Sequence, residues 1–358
     1  MKYFFLLFYG ITTILAGTAP LIAATTNVAP SKESKESKER TVHAVTIKSS
    51  MDGSEQKALF YVPPEGAPDQ KGAPVPLLVQ LHTWGGKYDQ SKGHPNKKWV
   101  MIAPDFRGPN NRPEACASKL AIQDVLDAVE YAKKNARIDE SRIYLSGWSG
   151  GGHMALMMAA KAPDIWAGVS SWVPVSDLVA WRAHHGSAGY GKTMDKACGG
   201  APGTPATDAE YKARSPINFL PAAKGVPIDI NAGIHDGHTG SVPISQSLYA
   251  FNVLAEANGL KDKQISKENI QFMTRKEKVP PALAGETEND PERRLAILFR
   301  RVAGPVRITL FEGGHTAESG AAWNWLERQK KGNPADFKVL QPRNKKKIPV
   351  SAVQDVAK

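Results

Sequence analysis

Residues 142–161 run Arg-Ile-Tyr-Leu-Ser-Gly-Trp-Ser-Gly-Gly-Gly-His-Met-Ala-Leu-Met-Met-Ala-Ala-Lys. A short strand (Ile143–Leu145), a glycine-rich turn and an apolar helix (Gly152–Lys161) follow one another without a break. Within the turn, Gly147-Trp148-Ser149-Gly150-Gly151 fits G-x-S-x-G in the strand-to-helix setting the motif requires. Such a turn strains the Ser149 backbone and projects its hydroxyl. The flanking glycines remove side chains that would collide with the neighbouring strand and helix. The helix N-terminus then lies below the reacting centre, where its positive end favours a developing oxyanion. This pattern marks Ser149 as a nucleophile.

Outward from that turn, strands and helices alternate. Strand-like runs are Val42–Ile47, Leu59–Val62, Val75–Leu81, Trp99–Ala103, Ala167–Val173, Val226–Ile234 and Val306–Phe311. Helical spacing marks Leu120–Ala132, Ile244–Glu256 and Ala321–Lys330. Near-continuous apolar runs suit strands buried on both faces, so the fold class is α/β, a mostly parallel sheet with helices on both faces. Ligands bind such sheets beyond the carboxyl ends of the strands. Two stretches break the alternation. Residues 177–222, rich in Gly, Pro, Ala and Trp, read as a cap over the site. Residues 260–305, of mixed charge, read as a surface insertion.

The 358-residue chain has a formal net charge of +11. The excess lies at the margins: residues 260–305 contribute +3 and residues 326–358 contribute +6, while 41–259 sum to only +1. A basic stripe through the body, and with it a nucleic-acid partner, is therefore excluded from the reading. Hydrophobic residues at 41% and charged residues at 23% are globular values. Two cysteines, Cys116 and Cys198, exclude a disulfide scaffold and a multi-cysteine zinc cluster.

Met1-Lys2, an apolar run and the small residues up to Ala24 have the layout of a secretory signal peptide cleaved near Ala24. The expected organisation is signal peptide 1–24, polar linker 25–40, catalytic domain 41–332 and basic tail 333–358, in an exported chain without stable membrane insertion after cleavage. Export makes a Cys116–Cys198 disulfide permissible, with two free thiols as the alternative. The basic tail suggests association with anionic polymers outside the cell.

A serine hydroxyl needs a base, and the base an orienting acid, in the chain order Ser, acid, His. His315 follows the last strand and is the last histidine of the chain. Asp236 follows strand Val226–Ile234. Asp177 is its rival, Asp229 lies within a strand and reads as structural, and Glu312 is too close in sequence to His315 to point at it. One oxyanion N–H should come from Gly150. The other should come from the loop His82-Thr83-Trp84-Gly85-Gly86, where Trp84 is assigned and Thr83 is the alternative. His82 is expected to order that loop and His153 to pack internally. Trp148, Trp172, Trp181, His184 and His185 are candidates for substrate contact, because flat rings stack on sugar or aryl faces, with core packing the alternative for the tryptophans. His235, Asp236 and His238 resemble a metal cluster but have no further ligand pattern, so neither metal nor cofactor is expected.

These residues resemble the α/β-hydrolases, closest to the prolyl oligopeptidase-type catalytic domain and related secreted esterases, over roughly residues 56–330. Gly233-Ile-His-Asp236 followed by Val242-Pro-Ile-Ser-Gln-Ser247-Leu248 is similar to that family's acid loop and favours Asp236 over Asp177. Two departures stand out. Five residues, 237–241, separate Asp236 from Val242 where the family usually has two, and His82–Gly86 replaces His-Gly-Gly. The resemblance implies a serine hydrolase working through an acyl-enzyme. Its peptidases usually carry an N-terminal propeller, for which the 16 residues between Ala24 and Thr41 leave no room. The expected substrate is therefore a small-molecule or saccharide ester, acetyl or feruloyl. A prolyl oligopeptidase-type peptidase and a non-catalytic binding protein are the alternatives.

Overall fold

The computed structural model describes residues 42–91 and 98–340, so the expected signal peptide and linker and tail residues 341–358 lie outside the described residues. In chain order the elements are β1 (His43–Lys48), β2 (Glu55–Tyr61), β3 (Val75–Leu81), β4 (Val100–Pro104), α1 (Lys119–Asn135), β5 (Ile138–Trp148), α2 (Gly150–Lys161) and β6 (Gly168–Trp172). Then come α3 (Leu178–His185), α4 (Tyr190–Cys198), α5 (Pro205–Ala213), β7 (Ile228–Gly233), α6 (Ser245–Ala257), α7 (Lys267–Lys276), β8 (Ile297–Ala303), β9 (Val306–Phe311) and α8 (Ser319–Glu327).

The strands form one sheet ordered β1-β2-β4-β3-β5-β6-β7-β9-β8. From β4 to β9 neighbours run parallel, and β1, β2 and β8 add antiparallel edges. This is the α/β-hydrolase architecture. Pro76 stands inside β3, in the sheet interior, where it cannot donate to the ladder. The β3–β5 register shifts at this point, between Val75 and Leu77. Alternation along β3 sends Leu77, Val79 and Leu81 into one apolar cluster with α1, α2 and α6. Leu78 and Tyr144 face a separate cluster with Trp325 and Leu326 of α8, so helices cover both faces.

Two features depart from expectation. Residues 297–303, inside the presumed surface insertion, form edge strand β8, paired with β9 from Ile297↔Phe311 to Ala303↔Val306. The start of the presumed tail is packed: Phe337 stacks on Trp325 at 5.7 Å, and Gln329 Nε2 donates to the Asp336 carbonyl at 2.9 Å. Residues 177–222 fold mainly as α3, α4 and α5.

The sheet positions the site through register. Trp148 at the end of β5 pairs with Trp172 at the end of β6. Gly233 pairs with Phe311, so the chains leaving β7 and β9 depart at the same level.

Candidate active site

Ser149 follows β5 directly and is the N-cap of α2, with φ 57° and ψ −120°. That left-handed backbone is the strained turn the motif calls for. It is held by the Ser149 N–H donating to the Trp172 carbonyl (2.8 Å) and by the His153 N–H donating to the Ser149 carbonyl (2.9 Å). Ser149 Oγ lies 2.9 Å from His315 Nε2, and His315 Nδ1 lies 2.7 Å from Asp236 Oδ2. In the resting arrangement the hydroxyl donates to Nε2 and Nδ1–H donates to the carboxylate. Asp236 is buried, and its other oxygen accepts the N–H groups of Gly237 and Val242, each at 3.0 Å. The longer acid loop therefore folds back on its own carboxylate. Gly240 lets it do so, since a Cβ there would sit 2.3 Å from Asp236 Oδ1 and 2.6 Å from the His315 Cβ.

The rival acids are engaged elsewhere. The Asp177 carboxylate caps α3, accepting the Val179 and Ala180 N–H groups at 2.9 and 3.1 Å. Asp229 is buried against Arg307 at 2.7 Å and Arg293 at 3.4 Å, and those guanidinium groups hold its carboxyl below the usual range despite burial. Glu312 faces His235 at 2.7 Å, turned away from His315.

The Trp84 backbone passes close to Gly150, the residue after Ser149. A Cβ on Gly150 would sit 2.3 Å from the Trp84 nitrogen, so only glycine allows this approach. No acceptor among the described residues takes the Trp84 N–H. The Thr83 N–H, by contrast, already donates to Gln90 Oε1 at 2.7 Å, which removes Thr83 as the second donor. The oxyanion loop is braced from both sides. His82 stacks on Phe106 at 3.8 Å, its ring nitrogens each 2.8 Å from the carbonyls of Thr83 and Asp105, and burial lowers its pKa. The Trp84 indole N–H donates to Thr193 Oγ1 of the cap at 3.0 Å. His153 is fully buried below, with Nε2 2.7 Å from the Arg214 carbonyl, and burial brings its pKa down to about 4.

The aromatic candidates divide. Trp172 and Trp181 are about 1% exposed and offer no face to a ligand. Trp172 packs on Phe311 at 5.7 Å, and Trp181 packs edge-on to Trp84 at 4.7 Å. Trp148 is half-buried with its ring centroid 6.1 Å from that of His315, which leaves it the tryptophan beside the base. His185 is tied down, with Nε2 2.7 Å from the Ser241 carbonyl, which also accepts the Trp181 indole N–H at 2.7 Å. Only His184 of the pair is exposed. Its pKa is lowered, first by partial burial and then by His185 and His238, against the opposing pull of Asp236. The cap thus grips the acid loop at Ser241. Neither Ser241 nor Gln90 and Thr193 carries any motif that would have singled it out. Gly240 alone had a signal, a glycine in an over-long spacer. Among the described residues no group of three or more His, Cys, Asp and Glu side chains is placed to hold a metal.

Strand order and the turn at Ser149 define the class by its fold, that of the α/β-hydrolases, and the Ser149–His315–Asp236 line has the geometry of a nucleophile–base–acid triad. Within that class, residues 99–273 match the prolyl oligopeptidase family, a segment that contains Ser149 and Asp236 and stops short of His315. Similar solved structures include an acylaminoacyl peptidase in complex with Z-Gly-Gly-Phe-chloromethyl ketone (17% identity, TM-score 0.54, covering 84% of this chain and 44% of that one). The Pyrococcus horikoshii acylaminoacyl peptidase matches at 16% identity and TM-score 0.54, again over 84% of this chain and 44% of that one. Oligopeptidase B from Leishmania major matches at 13% identity and TM-score 0.50, over 80% of this chain and 35% of that one. The match takes in less than half of each of these chains, and at such identities the likeness is one of fold.

Proposed function

We propose that the protein is a carboxylic ester hydrolase acting on acetyl or feruloyl esters of saccharides. In this reading Ser149 Oγ attacks the ester carbonyl while His315 Nε2 takes its proton. The resulting oxyanion is held by the N–H groups of Gly150 and Trp84. Collapse expels the alcohol, protonated by His315, and leaves an acyl group on Ser149. Water, deprotonated by His315, then releases the acid and restores the serine. Asp236 keeps the imidazole in the tautomer that carries its proton on Nδ1. The observation that carries the reading is the unbroken line from Ser149 through His315 to the buried Asp236, at 2.9 and 2.7 Å.

The saccharide-ester choice rests on Trp148, a half-buried flat ring beside the base. Such a ring suits a sugar or aryl face. A second reading, a serine peptidase, is favoured by the prolyl oligopeptidase match over residues 99–273. One comparison separates the two: kcat/KM on a panel of acetylated and feruloylated saccharides against prolyl-peptide substrates. The ester reading predicts faster turnover of the saccharide esters. Faster turnover of the peptides makes the protein a peptidase.

A further inference from the structure

His235 stands one residue before Asp236, and both of its ring nitrogens face carboxylates. Nδ1 lies 2.9 Å from Glu277 Oε2 and Nε2 lies 2.7 Å from Glu312 Oε1. A neutral imidazole has one N–H and serves one of these acceptors, turning a lone pair on the other. Only the imidazolium donates to both. The carboxylates belong to different segments. Glu312 directly follows β9, three residues before His315. Glu277 is the C-cap of α7, held in a left-handed conformation (φ 53°) by its own N–H donating to the Met273 carbonyl. The backbones meet at the same place, since the His235 N–H donates to the Gly313 carbonyl at 3.0 Å.

We propose that His235 is a positioning residue: its imidazolium, clasped between Glu277 and Glu312, fixes the loop carrying Asp236 against the loop carrying His315 and anchors both to the end of α7. This rests on the acyl-transfer reading above, in which those two loops must hold the base and its acid in line. Catalytic constellations need placement to within about 0.5 Å. The other titratable groups around His235 are accounted for. His238 Nδ1 lies 3.6 Å from the second oxygen of Glu277, and its Nε2 lies 2.7 Å from the Thr274 carbonyl. The Asp236 carboxylate turns to His315 and to the Gly237 and Val242 N–H groups.

Glu312 and then Glu277 raise the His235 pKa above its ordinary 6.5. A raised value means that the clasp is complete below about pH 6.5 and is lost as pH rises through the folded value. Catalysis needs a neutral His315 and a charged His235 together, so activity should fall on the alkaline side for a reason separate from the base.

The test uses the full chain as wild type, His235→Gln and His235→Arg. The readouts are kcat and KM on p-nitrophenyl acetate from pH 6 to 9, and amide hydrogen exchange of residues 312–316 corrected for intrinsic rates. The wild type should lose kcat at the alkaline end. His235→Gln should lower kcat about ten- to a hundredfold at pH 7 with little change in KM, lack the alkaline fall, and speed exchange in 312–316. His235→Arg, charged throughout, should keep wild-type kcat and hold it to pH 9. A His235→Gln protein with wild-type kcat and unchanged exchange would overturn the proposal. If the wild type turns over no substrate, the acyl-transfer reading fails, and exchange in 312–316 alone decides whether His235 clasps the loops.

Discussion

Asp236 and Asp177 each follow a parallel strand at the site end of the sheet, yet their carboxylates do different work. Asp236 meets His315 Nδ1, whereas Asp177 meets two N–H groups at the start of α3. Asp236→Asn should keep the packing but favour the wrong imidazole tautomer, at a cost of about 10⁴ in kcat. Asp177→Ala should cost about 0.5–2 kcal/mol of stability through the lost cap and leave kcat within severalfold. Ester turnover and denaturant unfolding of both variants check this pair, and the opposite ranking in kcat would move the acid. Ser149, His315 and Asp236 were legible because a strained turn and a fixed chain order constrain the sequence directly. Side-chain direction left no such trace. Nothing in a tryptophan at a strand end says whether its ring enters the cleft or the core, and Trp172 and Trp181 chose the core. The choice of Trp84 over Thr83 depends on Gln90, a contact with no pattern in the sequence.

Among elements, the central strands were readable because both of their faces are buried, giving unbroken apolar runs such as β3 and β9. Strand β8 was hidden by Arg300 and Arg301 in its middle. Their charge is absorbed locally: Arg300 pairs with Glu288 and Asp290, and Arg301 pairs with Glu286. The same segment supplies Arg293, which joins Arg307 on Asp229 and lies 4.9 Å over the Trp172 ring. Burial brings the Arg293 pKa down to about 10. This buried cluster ties the segment to β7 and β9 behind the site. Asp229→Asn should lower unfolding free energy by about 3–5 kcal/mol at pH 7, because two buried guanidinium groups lose their counter-charge. The lowered Asp229 pKa sets the sign. Its contribution is present above the ordinary carboxylate range and is lost as pH falls through the folded value. Denaturant unfolding of both proteins at descending pH should show the gap narrowing. A constant gap would show that Asp229 does not carry it.

At the scale of the molecule, the basic balance and the chemistry occupy different regions. Residues 41–259 carry a net charge of only +1, and part of the excess in 260–305 is paired in the β8 network. Besides the hydrogen bonds at Ser241 and Thr193, apolar packing couples cap to body: Trp84 of the oxyanion loop shares one buried cluster with Trp181, Met194, Tyr211, Cys116 and Cys198. Both cysteines are free thiols in this cluster, where desolvation raises the Cys116 thiol and pushes Cys198 up to about 12. Composition permitted either redox state, and their shared burial was not readable from spacing. Thiolates are the reactive species. The reduced native protein should therefore resist iodoacetamide at pH 8 and take up two equivalents only after denaturation. Rapid labelling of the folded protein would mean that the cap does not stay closed over this cluster.

The central claim is that Ser149 is a nucleophile made reactive by His315 and Asp236. Its most direct measurement is covalent labelling of the folded protein with a fluorophosphonate, mapped by peptide mass spectrometry. A single adduct on Ser149 is expected, absent in Ser149→Ala and slowed by several orders of magnitude in His315→Ala. A folded protein that stays unlabelled, or is labelled at another residue, would contradict it.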